Sequence, residues 1–213
     1  MDDDDLKQLL RGPLAHQSGV VTRAQLYEAG AAPHDVRRFV RRRLLVRLHD
    51  RVFVDHTGAS TWPQRTWAAV LATGPGSALC LDAWHPGEVV HVAIDTTRRV
   101  RAPEGVRVHR VTGLEAMVRW SASPPRVRPE HDLLLRVERA RDESEVVELL
   151  ASAVRTRQTT PDRIRSAAAQ RTRLRRRRLV LAVLDDVERG TQSVLEWRYL
   201  RDVERAHALP RAA

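Results

Sequence analysis

The spacing of apolar and polar residues near the start of the chain predicts a short helix after Thr22. Thr22 is a favourable N-cap residue, and Gln25 follows it at the three-residue spacing of a capping box. Val21 before the cap and Leu26 within the helix have the spacing of a hydrophobic staple. Gly30 suits the left-handed conformation that ends many helices, so we expect this helix to stop there.

A second short helix is predicted to begin at Pro33, because the missing N–H of proline would have no partner in a first turn. Val36, Phe39 and Val40 recur at helical spacing and form one apolar stripe. The other face is basic, and its residues are predicted to point outward: His34, Arg37, Arg38, Arg41 and Arg42.

Residues 44–48 and 51–54 are two β-prone runs that are predicted to pair as a hairpin. Arg47 and Arg51 on this hairpin would reach phosphate or a minor groove. A basic helix that follows a capped helix and a tight turn is the arrangement of a major-groove reader. The alternative is a small α+β subdomain with a solvated basic face.

A further helix is predicted over residues 3–17, where leucines recur at helical spacing. Pro13 interrupts this pattern, so we expect a kink or an early end near Gly12. This helix would pack behind the other two and complete a three-helix core.

The middle of the chain predicts a helix over residues 62–73 and two strands, 88–95 and 105–111, with alternating apolar positions. We expect these strands to form a small sheet covered by the helix that carries Trp67. Further helices are predicted at 129–139, 142–155, from Thr160, at 171–189 and at 192–209. The predicted class is α+β, with domains at 1–57 (DNA-binding), 58–128 (small α+β) and 129–213 (helical).

The net charge of +10 and the pI of about 11.2 indicate a polyanionic partner, nucleic acid before membrane. Lys7 is the only lysine among 37 Lys and Arg residues. The single Cys80 excludes an intramolecular disulfide and fits a reducing compartment. Without an apolar run of about 20 residues or a signal peptide, the protein is expected to be soluble and cytoplasmic.

Two other stretches contain residue types that can bind phosphate or a metal ion. Six arginines fall within residues 171–178, either as a second phosphate-contacting patch or as a solvated helix face anchored by Leu174 and Leu179. The spacing of the Cys, Asp and His residues between 80 and 91 matches no tetrahedral metal site, and no phosphate-binding glycine loop is present. No metal and no cofactor are expected.

The order of these motifs resembles a family of actinobacterial proteins with an AbiEi-type antitoxin domain at the N-terminus. The matching stretches are residues 17–26, 29–30, 45–49 and 52–54. The resemblance implies a winged helix-turn-helix that binds double-stranded DNA, represses its own operon and neutralises a nucleotidyltransferase-type toxin. The residues expected to contact DNA are Thr22, Arg23, His34, Arg37, Arg38, Arg41, Arg42, Arg47 and Arg51.

The chain departs from that family at Arg43, where glycine is usual, and at Asp50-Arg51, where Pro-Gly is usual. Residues 190–210 resemble the lead-in to an endonuclease domain of the very-short-patch-repair, PD-(D/E)XK type. The strands that would supply its metal-binding acids do not follow, so Glu196 is interpreted as a relic and nuclease activity is not expected. The alternatives are a truncated member of that nuclease group and a module that binds an acidic protein.

Overall fold

The computed structural model describes residues 1–12, 14–83 and 85–188. The chain divides into two compact units, Met1–Val127 and a second that begins at Arg128. Helices and strands are mixed along the chain, as the α+β prediction required. The predicted helix at 192–209, with Glu196, lies outside the described residues.

The first unit begins with helices and short strands that occur close to the predicted positions. The first helix ends at Arg11 with Gly12 as its C-cap, so the early end expected from Pro13 is confirmed, and a 3-10 turn follows at Ala15–Gln17. The elements are α1 (Asp3–Arg11), β1 (Val20–Thr22), α2 (Arg23–Glu28), α3 (Pro33–Arg41), β2 (Val46–His49) and β3 (Val52–Val54).

The capping box predicted for α2 is present. The Thr22 hydroxyl accepts from the Gln25 N–H at 3.1 Å, and the Gln25 side-chain oxygen accepts from the Thr22 N–H at 2.9 Å. Thr22 also ends β1, a strand that the helical pattern did not predict. Strand β1 pairs antiparallel with β3, and β3 pairs antiparallel with β2, so the three strands form one sheet.

The three helices bury their apolar faces against this sheet. Val21 and Leu26 both belong to the resulting core, as the staple spacing predicted. The core contains Leu6, Leu10, Leu14, Val21, Leu26, Val36, Phe39, Leu45 and Phe53.

A second sheet of five strands completes the first unit. Its strand order is β6-β5-β4-β8-β7, with β5 and β6 parallel and β4 and β5 antiparallel. It is preceded by α4 (Trp62–Thr73), whose bounds agree with the prediction. The remaining elements are β4 (Ser77–Leu79), β5 (Val90–Asp95), β6 (Val106–Val111), α5 (Leu114–Met117), β7 (Val118–Arg119) and β8 (Arg126–Val127).

Helix α4 packs against both sheets. Trp67 and Ala68 lie in a cluster with valines of the first sheet, whereas Ala69 and Val70 lie in a cluster with Leu79 and valines of the second sheet. The helix that carries Trp67 therefore covers the second sheet, as predicted, but it does so through Ala69 and Val70, whereas Trp67 itself packs on the first sheet. The predicted domain boundary between residues 57 and 58 lies before α4. Because α4 packs against both sheets, the segments on either side of that boundary share one core helix.

The second unit is helical from its first residues. Its described helices are α6 (Pro129–Arg139), α7 (Glu143–Arg155), α8 (Pro161–Ala169) and α9 (Arg177–Glu188). They enclose a core that includes Leu134, Val137, Leu150, Ile164 and Leu184.

The predicted helix at 171–189 begins only at Arg177. Arg176 has a φ of +62°, which is left-handed backbone and cannot belong to a right-handed helix. The arginines between 171 and 176 therefore do not circle a helix. None of the helices in the described ranges is both long enough and apolar enough to cross a bilayer.

Candidate nucleic-acid interface

A groove of about 460 Å³ lies between α2, α3 and the β2–β3 hairpin. Four of the arginines expected to contact DNA line it: Arg23 of α2, Arg37 and Arg41 of α3, and Arg47 of β2. Its other lining residues are Tyr27, Pro33, Val36, Val40 and Phe53. The lining contains no carboxylate, so the groove is positively charged with an apolar interior.

The backbone places these arginines together. Arg37 and Arg41 are four residues apart on α3 and share one helix face. The Arg37 Nε donates to the Pro33 carbonyl at 3.2 Å. Arg23 lies at the first position of α2, where its guanidinium carbon is 5.9 Å from the centre of the Phe53 ring. Arg47 is exposed on β2.

Within the described chain, none of these four arginines forms an ion pair with a carboxylate. Four guanidinium groups that line one groove carry the same charge and repel each other, and an anionic partner would relieve that repulsion.

The other basic residues of α3 lie away from the groove and have acidic partners. Arg38 Nη1 is 3.1 Å from Asp35 Oδ1, and Arg42 Nη1 is 2.7 Å from Asp3 Oδ2 of α1. His34 Nε2 is 3.6 Å from Asp35 Oδ1, although its side chain is 75% exposed. The basic residues predicted for α3 therefore fall into two groups. Arg37 and Arg41 line the groove, whereas His34, Arg38 and Arg42 lie close to acidic side chains.

Asp35 is the buried carboxylate that organises that second set, and the sequence analysis did not single it out. Its side chain accepts from the Ala32 N–H at 2.9 Å, and this hydrogen bond, together with the positive charges nearby, holds the pKa of Asp35 below its ordinary value of 3.8. The signal was present in the sequence, because an acid three residues after the N-cap of a helix is the second half of a capping box.

Thr22 and Arg51 line a different cleft of the first unit. Thr22 is occupied as the cap of α2, and Arg51 Nε lies 3.5 Å from Asp50 Oδ2 on the hairpin turn. Arg51 and Arg43 have φ values of +62° and +58°. Both are positions where glycine would be unstrained, and these are the positions where the sequence departs from the resembled family.

The arginines of residues 171–178 have partners inside the second unit. Arg176 donates to the carbonyls of Val137 and Ala140 at 3.3 and 2.8 Å, and Arg171 lies 3.4 Å from a Glu138 carboxylate oxygen. Arg177 donates to the Ala168 carbonyl at 3.0 Å. Three of the six arginines thus serve the packing of the helices, a role that differs from the solvated helix face considered from the sequence.

Of the four residues considered as metal ligands, Asp82 and His85 form a pair. Cys80 is fully buried, His85 Nδ1 lies 2.9 Å from Asp82 Oδ1, and His91 Nδ1 lies 2.9 Å from His109 Nε2 on the neighbouring strand. In the described part of the chain, no group of three potential ligands could hold a metal ion.

The groove is the arrangement with chemistry suited to a partner. Unpaired guanidinium groups bind phosphate and the acceptor edges of guanine, and an apolar interior accepts the methyl group of thymine. The models of known protein families and the curated protein sequences give no match to this chain.

Proposed function

We propose that this protein binds double-stranded DNA and acts as a transcriptional repressor of the AbiEi antitoxin-like type. The observation that carries the proposal is the groove with four arginines, none of which has a carboxylate partner in the part of the chain that the structure describes, in a chain of net charge +10. Groups of this kind supply most of the affinity of a protein for the DNA backbone.

The order of elements supports a winged helix-turn-helix in the first part of the chain. A helix, a strand, two helices and a hairpin follow each other, and the first strand pairs with the hairpin. In this interpretation α3 enters the major groove, where Arg37 and Arg41 face the bases. Arg23 at the start of α2 and Arg47 on the wing contact the flanking phosphates.

The biological setting follows from the sequence resemblance and forms part of the proposal. A repressor of this type acts in the cytoplasm on its own operon, and its protein partner is a nucleotidyltransferase-type toxin. The DNA-binding part of the proposal rests on the groove and does not depend on the toxin.

The test measures binding to a fluorescently labelled 30-base-pair duplex of mixed sequence by anisotropy at low salt. We expect the double variant Arg37→Ala/Arg41→Ala to bind about 30-fold more weakly or worse, because each arginine contact contributes roughly 1–3 kcal/mol.

The matched control is Arg173→Ala/Arg175→Ala, which removes the same charge from exposed positions of the second unit. This control is expected to bind within about threefold of wild type, since distant exposed charges contribute little. Equal affinity of the two double variants would refute the assignment of the groove. A lack of any DNA binding by the wild-type protein would refute the function itself.

A further inference from the structure

A cleft of about 990 Å³ lies in the first unit, separate from the arginine groove. It lies between α2, the β2–β3 turn, the C-terminal half of α4 and the loop at 120–125. Its volume is at the upper end of the 300–1,000 Å³ that is usual for small-molecule sites.

Aromatic side chains form two of its walls. On one wall His16 meets Trp67 edge to face, with ring centres 5.7 Å apart. On another, Trp120 is held by a hydrogen bond from its Nε1 to the Glu115 carbonyl at 3.3 Å, yet remains 36% exposed. Because an exposed tryptophan held by its only polar atom presents its ring surface to the cleft, a planar or aromatic ligand has a surface to stack on.

The charge of the lining is opposite to that of the chain. Glu28 lines the cleft and makes no ion pair among the described residues, whereas Arg51, the only arginine of the lining, lies 3.5 Å from Asp50. Among the described lining residues the uncompensated charge is therefore negative, although the whole chain carries +10. Arg98 lies beside this lining and donates to the Thr73 carbonyl at 2.7 Å. Glu28 is thus an exposed anion with which a cationic ligand can pair.

We propose that this cleft binds an aromatic organic cation. The positive charge of the ligand would lie near Glu28, and its ring would lie against Trp120, an arrangement that combines ion pairing with a cation–π contact. The helix α2 separates the two sites, since Arg23 and Tyr27 line the groove while Gln25 and Glu28 line the cleft. None of the groove arginines takes part in this proposed site, so the binding of a cation can be tested separately from the binding of DNA.

The test uses two xanthene dyes of similar shape and opposite charge, rhodamine 6G as the cation and fluorescein as the anion. Fluorescence anisotropy of each dye is measured against the full chain without DNA. We expect rhodamine 6G to bind saturably at one site with a Kd below about 100 µM, in the range of weak small-molecule complexes, and fluorescein to bind at least about tenfold more weakly.

Two variants locate the site. Glu28→Gln is expected to weaken rhodamine 6G about fivefold, and Trp120→Ala about tenfold, from loss of the charge and of the ring contact. The matched control Glu104→Gln removes the same charge outside the cleft and leaves binding unchanged. Since Glu28 is exposed, its variant folds even where Trp120→Ala does not.

Three outcomes would overturn the proposal: no saturable binding of rhodamine 6G, equal binding of fluorescein, or an unchanged Kd for Glu28→Gln. A loss of affinity that Glu104→Gln shares would overturn it as well, since it would assign the binding to net charge rather than to the cleft.

Discussion

Arginines are dense in two parts of this chain, the groove between α2, α3 and the hairpin, and the segment 171–178 of the second unit. In the groove the guanidinium groups surround an apolar interior and have no carboxylate partner among the described residues. In the segment, Arg171, Arg176 and Arg177 bind a glutamate or backbone carbonyls of neighbouring helices. The number of arginines is therefore not what distinguishes the two regions. They differ in whether carboxylates and backbone carbonyls of the chain lie within reach of the guanidinium groups.

The physical reason for the difference lies at the ends of helices. The last carbonyls of a helix have few partners within it, and Arg176 donates to those at the end of α6: to Ala140, and to Val137, which also accepts from the Ala140 N–H at 3.2 Å. The groove is formed by the sides of α2 and α3 and by a strand. Among its four arginines the described contacts include one bond to a backbone carbonyl, from Arg37 Nε to Pro33.

Among the substitutions that test this difference, the largest effect is expected for Arg176. Arg176→Ala removes the hydrogen bonds that this side chain donates to three carbonyls, those of Val137, Ala140 and Arg141. We expect the free energy of unfolding to fall by about 1.5–3 kcal/mol in urea denaturation. The neighbouring exposed variant Arg175→Ala should change it by less than about 0.5 kcal/mol. Equal effects of the two would contradict the packing role.

A smaller effect separates the groove from the rest of α3. Arg47→Ala should weaken DNA binding about five- to tenfold and reduce the slope of log K against log salt by about one unit, as expected for one lost phosphate contact. Arg42→Ala removes the same charge from outside the groove, where Arg42 pairs with Asp3, and should leave the slope unchanged. A slope change in Arg42→Ala, measured by anisotropy from low to moderate salt, would place the interface elsewhere.

The carboxylate of Asp35 gives a test in pH. Because its pKa is lowered in the folded protein, the ionised form stabilises the fold above its ordinary pKa of 3.8, and this stabilisation is lost as the pH falls through the lowered value. Asp35→Asn should therefore be less stable than wild type at pH 7, and the difference should shrink below about pH 4. Urea denaturation of both proteins from pH 7 to pH 2.5 measures this difference, and a constant difference across that range would rule out the titration.

The smallest effect concerns backbone strain beside the groove. Arg43 is exposed and left-handed, with a φ of +58°, so Arg43→Gly should raise the free energy of unfolding by about 0.5–1 kcal/mol. Arg42→Gly is the control, because Arg42 has a φ of −81° and glycine gains nothing there. Thermal unfolding compares the two variants, and a stabilised Arg42→Gly would show that strain is not the cause.

Local patterns predicted much of the fold. The bounds of α2, α3 and α4 follow from caps and from prolines at helix starts, which act within four residues. Strand β1 was missed because it is short and its partner β3 lies 30 residues further on. The side of α4 that each sheet would take was not predictable, since both sides of that helix are apolar.

The candidate site was predictable in residue type and only partly in arrangement. Helical spacing placed the arginines of α3 on its outer surface, but two basic residues of this segment pair with acids. Arg38 and Asp35 are three residues apart on one helix, a pair that local spacing could have predicted. Asp3 and Arg42 meet through the packing of α1 on α3, a contact between residues far apart in the sequence. Periodicity within one helix carries no information on that second contact, so Arg42 could be separated from the groove arginines only in three dimensions.

Helix α4 lies between the two sheets, so the stability of the groove depends on the rest of the first unit. If residues 1–57 were excised, Val20, Val52 and Val54 would lose Trp67 and Ala68 and face water. The segment that carries the arginines is therefore not a portable module. Its folding is cooperative with that of the five-stranded sheet, and a substitution that weakens the core around Leu79 or Val92 would reduce the population able to present the groove.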